Sequence, residues 1–259
     1  MKVTKGLKKA VSADPSILTL GTFDGVHKGH KKIISRLISE AKEYNLKAII
    51  LTFFPHPRSI ISDEKNIKSI NTLDEKIEIF GQLGLDELII QNFDKSFSEM
   101  SADEFIELIV NNLNLKKIIV GYNHRFGKNR SADIQVLKKF SLKYDFEVIE
   151  IKAFEIEKIK ISSTKIRNSI NDGNIDICNN YLGYNFNING EVVKGKKIGK
   201  SIGFPTANIR IDEKYKILPK NGVYIVSCFV DKEKYFGMLN IGYNPTFGLN
   251  EKTIEVNIF

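Results

Sequence analysis

The residues His27-Lys28-Gly29-His30 close a ten-residue stretch, GTFDGVHKGH, that also holds Gly21, Thr22, Phe23, Asp24 and Gly25. Glycines at 21, 25 and 29 allow a sharp turn and let backbone approach a ligand closely. A helix beginning near His30 would aim unpaired N–H groups and its positive dipole end into that turn, which suits a phosphate. His27 and His30 could donate hydrogen bonds to phosphate oxygens as charge develops on them. Asp24 has two readings: contact with a nucleotide, or a cap on the turn through its own backbone. By itself the stretch supports a phosphate held near a helix start.

Three further segments carry chemistry. In TFFPHPRSI (52–60), Pro55 and Pro57 stiffen a strand exit and are expected to expose His56. In ISSTKIR (161–167), Ser162, Ser163 and Thr164 offer hydroxyls and N–H groups at a helix start, and Arg167 follows about one turn on, able to grip phosphates bidentately. Arg125 and Lys128 fall just past the strand at 116–121. The run GKKIGKS (195–201) has three residues between Gly195 and Gly199, where a phosphate-binding loop of the Walker type has four. Pro205 then stands where that loop needs its helix, so a P-loop is rejected.

The elements that must position these groups follow from periodicity. SILTL (16–20), KAIILTF (47–53), ELII (87–90), KKIIVG (116–121) and FEVIEI (146–151) read as strands. Helices are predicted over 30–44, from the capping box Thr72–Glu75 to about Leu83, from the capping box Ser101–Glu104 to about Asn112, and over 131–143. Apolar strands alternating with amphipathic helices imply a parallel sheet covered on both faces, with ligands outside the carboxyl ends of its strands. Helical pattern persists from Ser163 to Leu182. The rest is rich in glycine and short β-like runs, at 222–230, 234–242 and 253–259, which imply an antiparallel sheet or barrel. The expected domains are 1–182 and 183–259.

The chain has 259 residues, a net charge of +8 and 42% hydrophobic residues, enough for two ordinary domains. Its lysines are scattered, which fits a solvated surface or small polyanions such as nucleotides better than a nucleic-acid stripe. Cys178 and Cys228 are the only cysteines, which fits a reducing cytoplasm and disfavours zinc. No apolar run reaches the roughly 18 residues needed to span a bilayer.

Taken together, the motifs resemble those of the prokaryotic bifunctional riboflavin kinase/FMN adenylyltransferases, the FAD synthetases. GTFDGVHKGH resembles their HxGH signature, TFFPHPRSI their FxPHP segment, VGYNHRFGKNRSAD (120–133) their VGxDFRFG loop, and ISSTKIR their ISSTxIR motif. In the second part, GKSIGFPTANI (199–209) resembles the GxPTAN signature of riboflavin kinases, and TIEVNIF the strand that carries their catalytic glutamate. The resemblance implies a Rossmann-like nucleotidylyltransferase domain followed by a smaller β-barrel kinase domain. It implies ATP and Mg²⁺ as cofactors and riboflavin, FMN and FAD as substrates and products. Carried over residue by residue, it places His27, His30 and Arg167 in adenylyl transfer and Glu255 as the kinase base on the ribityl 5′-hydroxyl. Gly21 to Gly25, Gly29, Ser163 and Thr164 would line one nucleotide, with Gly195, Lys200 and Gly203 as a flap over the other. Phe54, His56, Pro57, Asn123 and Arg125 would meet the flavin, and Thr206 and Asn208, on one side of an extended segment, would hold Mg²⁺.

Two departures stand out. Asn123-His124 replaces an acidic residue and an aromatic, so Asn123 can hydrogen-bond but supplies no charge. Asn257 stands where the family usually has His. The family continues through further strands and a helix, so the kinase domain is expected to be truncated at Phe259 and its barrel incomplete. The expected partners are small molecules, with no nucleic acid and no membrane, in a monomer or weak homo-oligomer.

Overall fold

The five residues Ser16–Leu20 are wholly buried and form strand β2 at the centre of a parallel sheet. The computed structural model describes residues 1–61, 67–122, 124–151, 161–195, 203, 205–231, 233–244 and 249–259. They divide into two units: Met1–Ser163 with Tyr181–Gly183, and Thr164–Asn180 with Tyr184–Phe259.

In the first unit, β1 (Lys2–Lys5), β2, β3 (Lys47–Phe54), β4 (Glu87–Asn92), β5 (Leu115–Gly121) and β6 (Glu147–Ile151) make a six-stranded sheet in the order β1-β4-β3-β2-β5-β6. Every pairing is parallel. Helix α1 (Lys28–Glu43) buries Ile34, Leu37 and Ala41 against one face, together with Phe80 of α3 (Leu73–Gln82). Helix α5 (Ala102–Leu113) and helix α6 (Ile134–Tyr144) bury Phe105, Ile106, Ile109 and Leu137 against the other. The short helices α2 (Pro57–Ile61) and α4 (Lys95–Ser98) follow β3 and β4. The sheet is thus covered on both sides, as its strand sequences require.

Both capping boxes form. The Thr72 hydroxyl accepts from Glu75 N–H while the Glu75 carboxylate accepts from Thr72 N–H, and Ser101 and Glu104 do the same. Strand β1 was not foreseen. It has four residues with one buried, and its pairing to β4 spans more than eighty positions. The helical pattern from Ser163 to Leu182 is two helices, α7 (Ser163–Asp172) and α8 (Ile175–Leu182). Gly173 separates them at φ +82°, with its N–H on Ile170 C=O and that of Asn174 on Ser169 C=O, a Schellman closure of α7.

In the second unit, β7 (Glu191–Val193), β8 (Ala207–Arg210), β9 (Gly222–Val230), β10 (Glu233–Asn244) and β11 (Leu249–Ile258) form an antiparallel sheet ordered β7-β8-β11-β10-β9. Leu239, Ile241, Ile254 and Val256 are its buried centre.

Candidate functional site

The chain order turns back at β2, which lies between β3 and β5. The loop leaving β2 carries GTFDGVHKGH, and the loop leaving β5 carries Tyr122 to Arg125. Both therefore stand at the carboxyl ends flanking the reversal, where such sheets bind ligands.

Helix α1 starts at Lys28, two residues before the sequence-based start, because His27 serves as its N-cap. The Nδ1 atom of His27 accepts the His30 N–H at 3.3 Å. A neutral imidazole that accepts at Nδ1 carries its proton on Nε2, which leaves a donor at that atom. Gly29 provides the room: a Cβ there would stand 3.1 Å from both Cε1 and Nδ1 of His27. The His27 ring stacks on His30 with centroids 3.7 Å apart and planes 16° from parallel. His30 in turn meets Phe23 edge-on at 5.2 Å, and Phe23 packs on Phe80.

Burial pushes the His27 pKa down to about 4, against the opposing pull of Asp24. Burial, then the cost of placing a second proton beside His27, then Lys76, hold His30 well below the usual imidazole range. Both rings are therefore neutral at pH 7. His30 Nδ1 is buried with no hydrogen-bond partner. An orphaned polar atom of this kind costs about 1–3 kcal/mol and fits a place that a ligand group completes.

The loop is bolted in place. Asp24 is 2% exposed, and its Oδ1 accepts the Ile70 N–H at 2.9 Å. That contact is neither of the two readings drawn from sequence. Its carbonyl accepts the Ser163 hydroxyl at 2.8 Å, so the first residue of α7 latches the loop. Thr22 C=O accepts Thr52 Oγ1 at 3.2 Å and Lys76 Nζ at 3.3 Å, and Gly21 N–H donates to Leu51 C=O. Gly25 turns at φ +88° beneath Ile70. Phe23 and Val26 also take positive φ, 45° and 31°, and both are buried. A valine there is strained by about 1–3 kcal/mol, which the surrounding bonds must hold. Sequence reasoning missed Lys76 altogether. It reads as a surface lysine of a capped helix, yet it is buried and bonds a loop 54 residues away.

Around the β3 exit, Phe54 is half-buried and its carbonyl accepts from Phe93 N–H. His56 is half-buried rather than exposed. Its Nδ1 accepts from Arg58 N–H and its carbonyl from Ser59, so it opens helix α2, whose first residue is Pro57. Arg125 is exposed beyond β5. His124 lies over Phe126 at 6.0 Å, its Nε2 buried and unpartnered, and burial followed by Arg130 pushes its pKa down to about 4. Asn123 lies outside the described residues, as does Lys200.

In the second unit, the Thr206 hydroxyl donates to Glu255 Oε2 at 3.1 Å. Asn208 stands opposite Glu255 in the β8–β11 register. Asn257 Nδ2 donates to Pro205 C=O at 2.7 Å and so ties the segment before β8 to β11. A Cβ at Gly195 would meet the Asn208 amide at 2.0 Å, so only glycine allows that approach. Gly203 is an exposed turn at φ +84°. Thr206, Asn208 and Glu255 thus form a cluster of oxygen-bearing groups, the set a hard cation prefers. Among the described residues there is no group of three or more His, Cys, Asp or Glu that could hold a metal ion. Thr164 and Arg167 follow Ser163 on α7, and Arg167 is half-buried four residues on, on the same face.

Residues 9–165 match the FAD synthetase family model and residues 182–259 the riboflavin kinase model. The chain belongs to the bifunctional riboflavin kinase/FMN adenylyltransferase family. A member from Buchnera aphidicola subsp. Schizaphis graminum is 37% identical over 267 residues, covering 100% of this chain and 84% of the relative. The Escherichia coli K12 member is 33% identical, covering 100% of this chain and 83% of its own. The Bacillus subtilis member is 36% identical, with 94% and 78% covered. Among solved structures, a Streptococcus pneumoniae chain described as a macrolide-efflux protein superposes with a TM-score of 0.89 at 32% identity, covering 100% of this chain and 85% of that one. Among the described residues no helix is long and apolar enough to cross a membrane. The two family matches fall on the two sheets described above. The histidine pair lies within the FAD synthetase match, and the Thr206–Glu255 cluster within the riboflavin kinase match.

Proposed function

We propose that this chain makes FAD in two ATP-dependent steps. Residues 183–259 phosphorylate riboflavin to FMN, and residues 1–182 join AMP from a second ATP to FMN with release of pyrophosphate. The observation that carries the reading is the neutral, stacked His27–His30 pair on a helix start beside a glycine turn, in a chain that also matches the riboflavin kinase model.

In adenylyl transfer, a phosphate oxygen of FMN attacks the α-phosphorus of ATP and the bond to pyrophosphate breaks. No covalent enzyme intermediate is needed, so the protein's work is positioning and charge stabilisation. Gly21 to Gly25 and Gly29 leave space for the phosphates. The Nε2–H of His27 donates to their oxygens, and the positive end of the α1 dipole favours their charge. Being neutral, the imidazoles bind without needing to lose a proton, and the gathering negative charge favours any proton they gain. Ser163 holds the loop through Asp24 C=O. Arg167 and Thr164 are assigned to phosphate oxygens on their chemistry. Phe54, His56, Pro57, Asn123 and Arg125 are assigned to the flavin, and His124 joins them through its unpartnered Nε2.

In riboflavin phosphorylation, Glu255 takes the proton of the ribityl 5′-hydroxyl as that oxygen attacks the γ-phosphorus, and ADP leaves. The all-oxygen set of Thr206, Asn208 and Glu255 fits Mg²⁺, with Thr206 and Asn208 as its protein ligands. The ion would offset phosphate charge. Gly195, Lys200 and Gly203 are assigned to the ATP flap. The enzyme is assigned to the cytoplasm, acting on small molecules without nucleic acid, as a monomer or weak homo-oligomer.

The test is chromatography of flavins after incubation with ATP and Mg²⁺. Riboflavin should yield FMN and then FAD, and supplied FMN should yield FAD. FAD from FMN without FMN from riboflavin would confine the activity to the first domain, and neither product would overturn the reading.

A further inference from the structure

Lys76 is the fourth residue of α3, a helix whose start is fixed by the Thr72–Glu75 capping box. Its side chain is 6% exposed, and its ammonium donates to Thr22 C=O at 3.3 Å while facing Asp24 and His30. Lysines are rarely buried to this extent, because taking a charge out of water costs several kcal/mol. The buried Asp24 carboxylate raises the Lys76 pKa, but burial outweighs it, so a purely structural role leaves part of that cost unmet. Thr22 C=O already accepts Thr52 Oγ1, so the carbonyl is not orphaned without Lys76, and a methionine would fill the same space uncharged. The cost is explained if an anion completes the arrangement.

We propose that Lys76 is a positioning residue for adenylyl transfer. It anchors the Thr22 carbonyl of the glycine turn and offers an ammonium, coupled to Asp24 and His30, for the anionic chain of a nucleoside triphosphate to complete. This rests on the adenylyl-transfer reading above. Burial lowers the Lys76 pKa and Asp24 raises it, so a bound polyanion would strengthen the cation further. The titratable groups facing His30 are His27 at the cap of its own helix and Lys76 from α3, and Asp24 of the loop faces both of these. Removing the Lys76 charge therefore removes a repulsion and moves the His30 pKa upward.

The experiment uses the full chain with Lys76→Met, and with Lys76→Gln, which keeps a donor for Thr22 C=O and removes only the charge. The readouts are FAD formation from FMN against ATP concentration and pH, and imidazole NMR titration of the four histidines, assigned by single substitutions. Thermal unfolding and riboflavin phosphorylation serve as controls on folding. Both variants should raise KM for ATP by about tenfold or more, which is the effect of one lost charge contact in a partly buried site. The His30 titration and the acid limb of kcat/KM should move up together, and riboflavin phosphorylation should not change. Lys76→Gln with an unmoved His30 titration and unmoved KM would overturn the proposal, whatever Lys76→Met does to folding. A wild-type chain that makes no FAD counts against the adenylyl-transfer reading instead, while the His30 titration still decides the role of Lys76.

Discussion

The Nδ1 atom of His27 accepts the backbone N–H of His30, and the two imidazoles lie face to face 3.7 Å apart. One side chain thus caps a helix, fixes its own tautomer and stacks on its partner. That arrangement gives the intervening Gly29 a physical task.

Gly29 is the first consequence. With a Cβ 3.1 Å from two atoms of His27, Gly29→Ala should displace the ring by a few tenths of an ångström or more. Misplacement on the scale of 1 Å costs up to about 10²-fold in rate. FAD formation from FMN should fall by about tenfold to a hundredfold, while FMN formation and the melting temperature stay near wild type. Parallel steady-state assays of the two steps check this.

Acid should destabilise the first domain in part through His27. Its pKa is about 4 in the fold against 6.5 for a free imidazole, so the unfolded chain binds the proton between those values and the folded chain does not. Stability is then full above pH 6.5, falls as pH drops through that window, and loses about 3 kcal/mol by pH 4 from this residue. Urea unfolding of wild type and His27→Gln at pH 4.5 and 7 should show a smaller pH dependence in the variant. Equal pH dependence would contradict the account.

Asp24→Ala would strip a buried acceptor from Ile70 N–H. The loss should be about 1–3 kcal/mol in denaturant titration, with FAD formation reduced alongside. Asp24→Asn keeps an oxygen for Ile70 and should recover most of the stability.

In the second unit, Glu255→Gln should abolish riboflavin phosphorylation by at least about 10²-fold and leave FAD formation from supplied FMN intact. Thr206→Ala should instead raise the Mg²⁺ concentration needed for half-maximal kinase activity. Both are read by flavin chromatography across a magnesium series.

Much of this was legible in sequence where its causes are local. SILTL, the two capping boxes and the alternation of strands and helices are set by neighbours a few residues apart, and they stand as read. The start of α1 was misplaced because histidine is an unusual N-cap, and nothing in the spacing says that its ring folds back over Gly29. Three relationships were illegible because each joins distant positions: Asp24 to Ile70, Ser163 to the Asp24 carbonyl, and Lys76 to Thr22. Strand β1 was missed for the same reason, since four residues whose only buried side chain is the polar Thr4 have no pattern until β4 pairs with them. Asn257 looked like a bare departure, and its amide proves to hold Pro205 and thereby the Thr206 segment.

The central claim is that the stacked histidine pair transfers the adenylyl group while a separate domain makes its acceptor. It is tested most directly by giving the His30→Asn chain riboflavin, ATP and Mg²⁺ and resolving the flavins. The account predicts that FMN accumulates at the wild-type rate while FAD falls by about 10²-fold or more. FAD at the wild-type rate would contradict it.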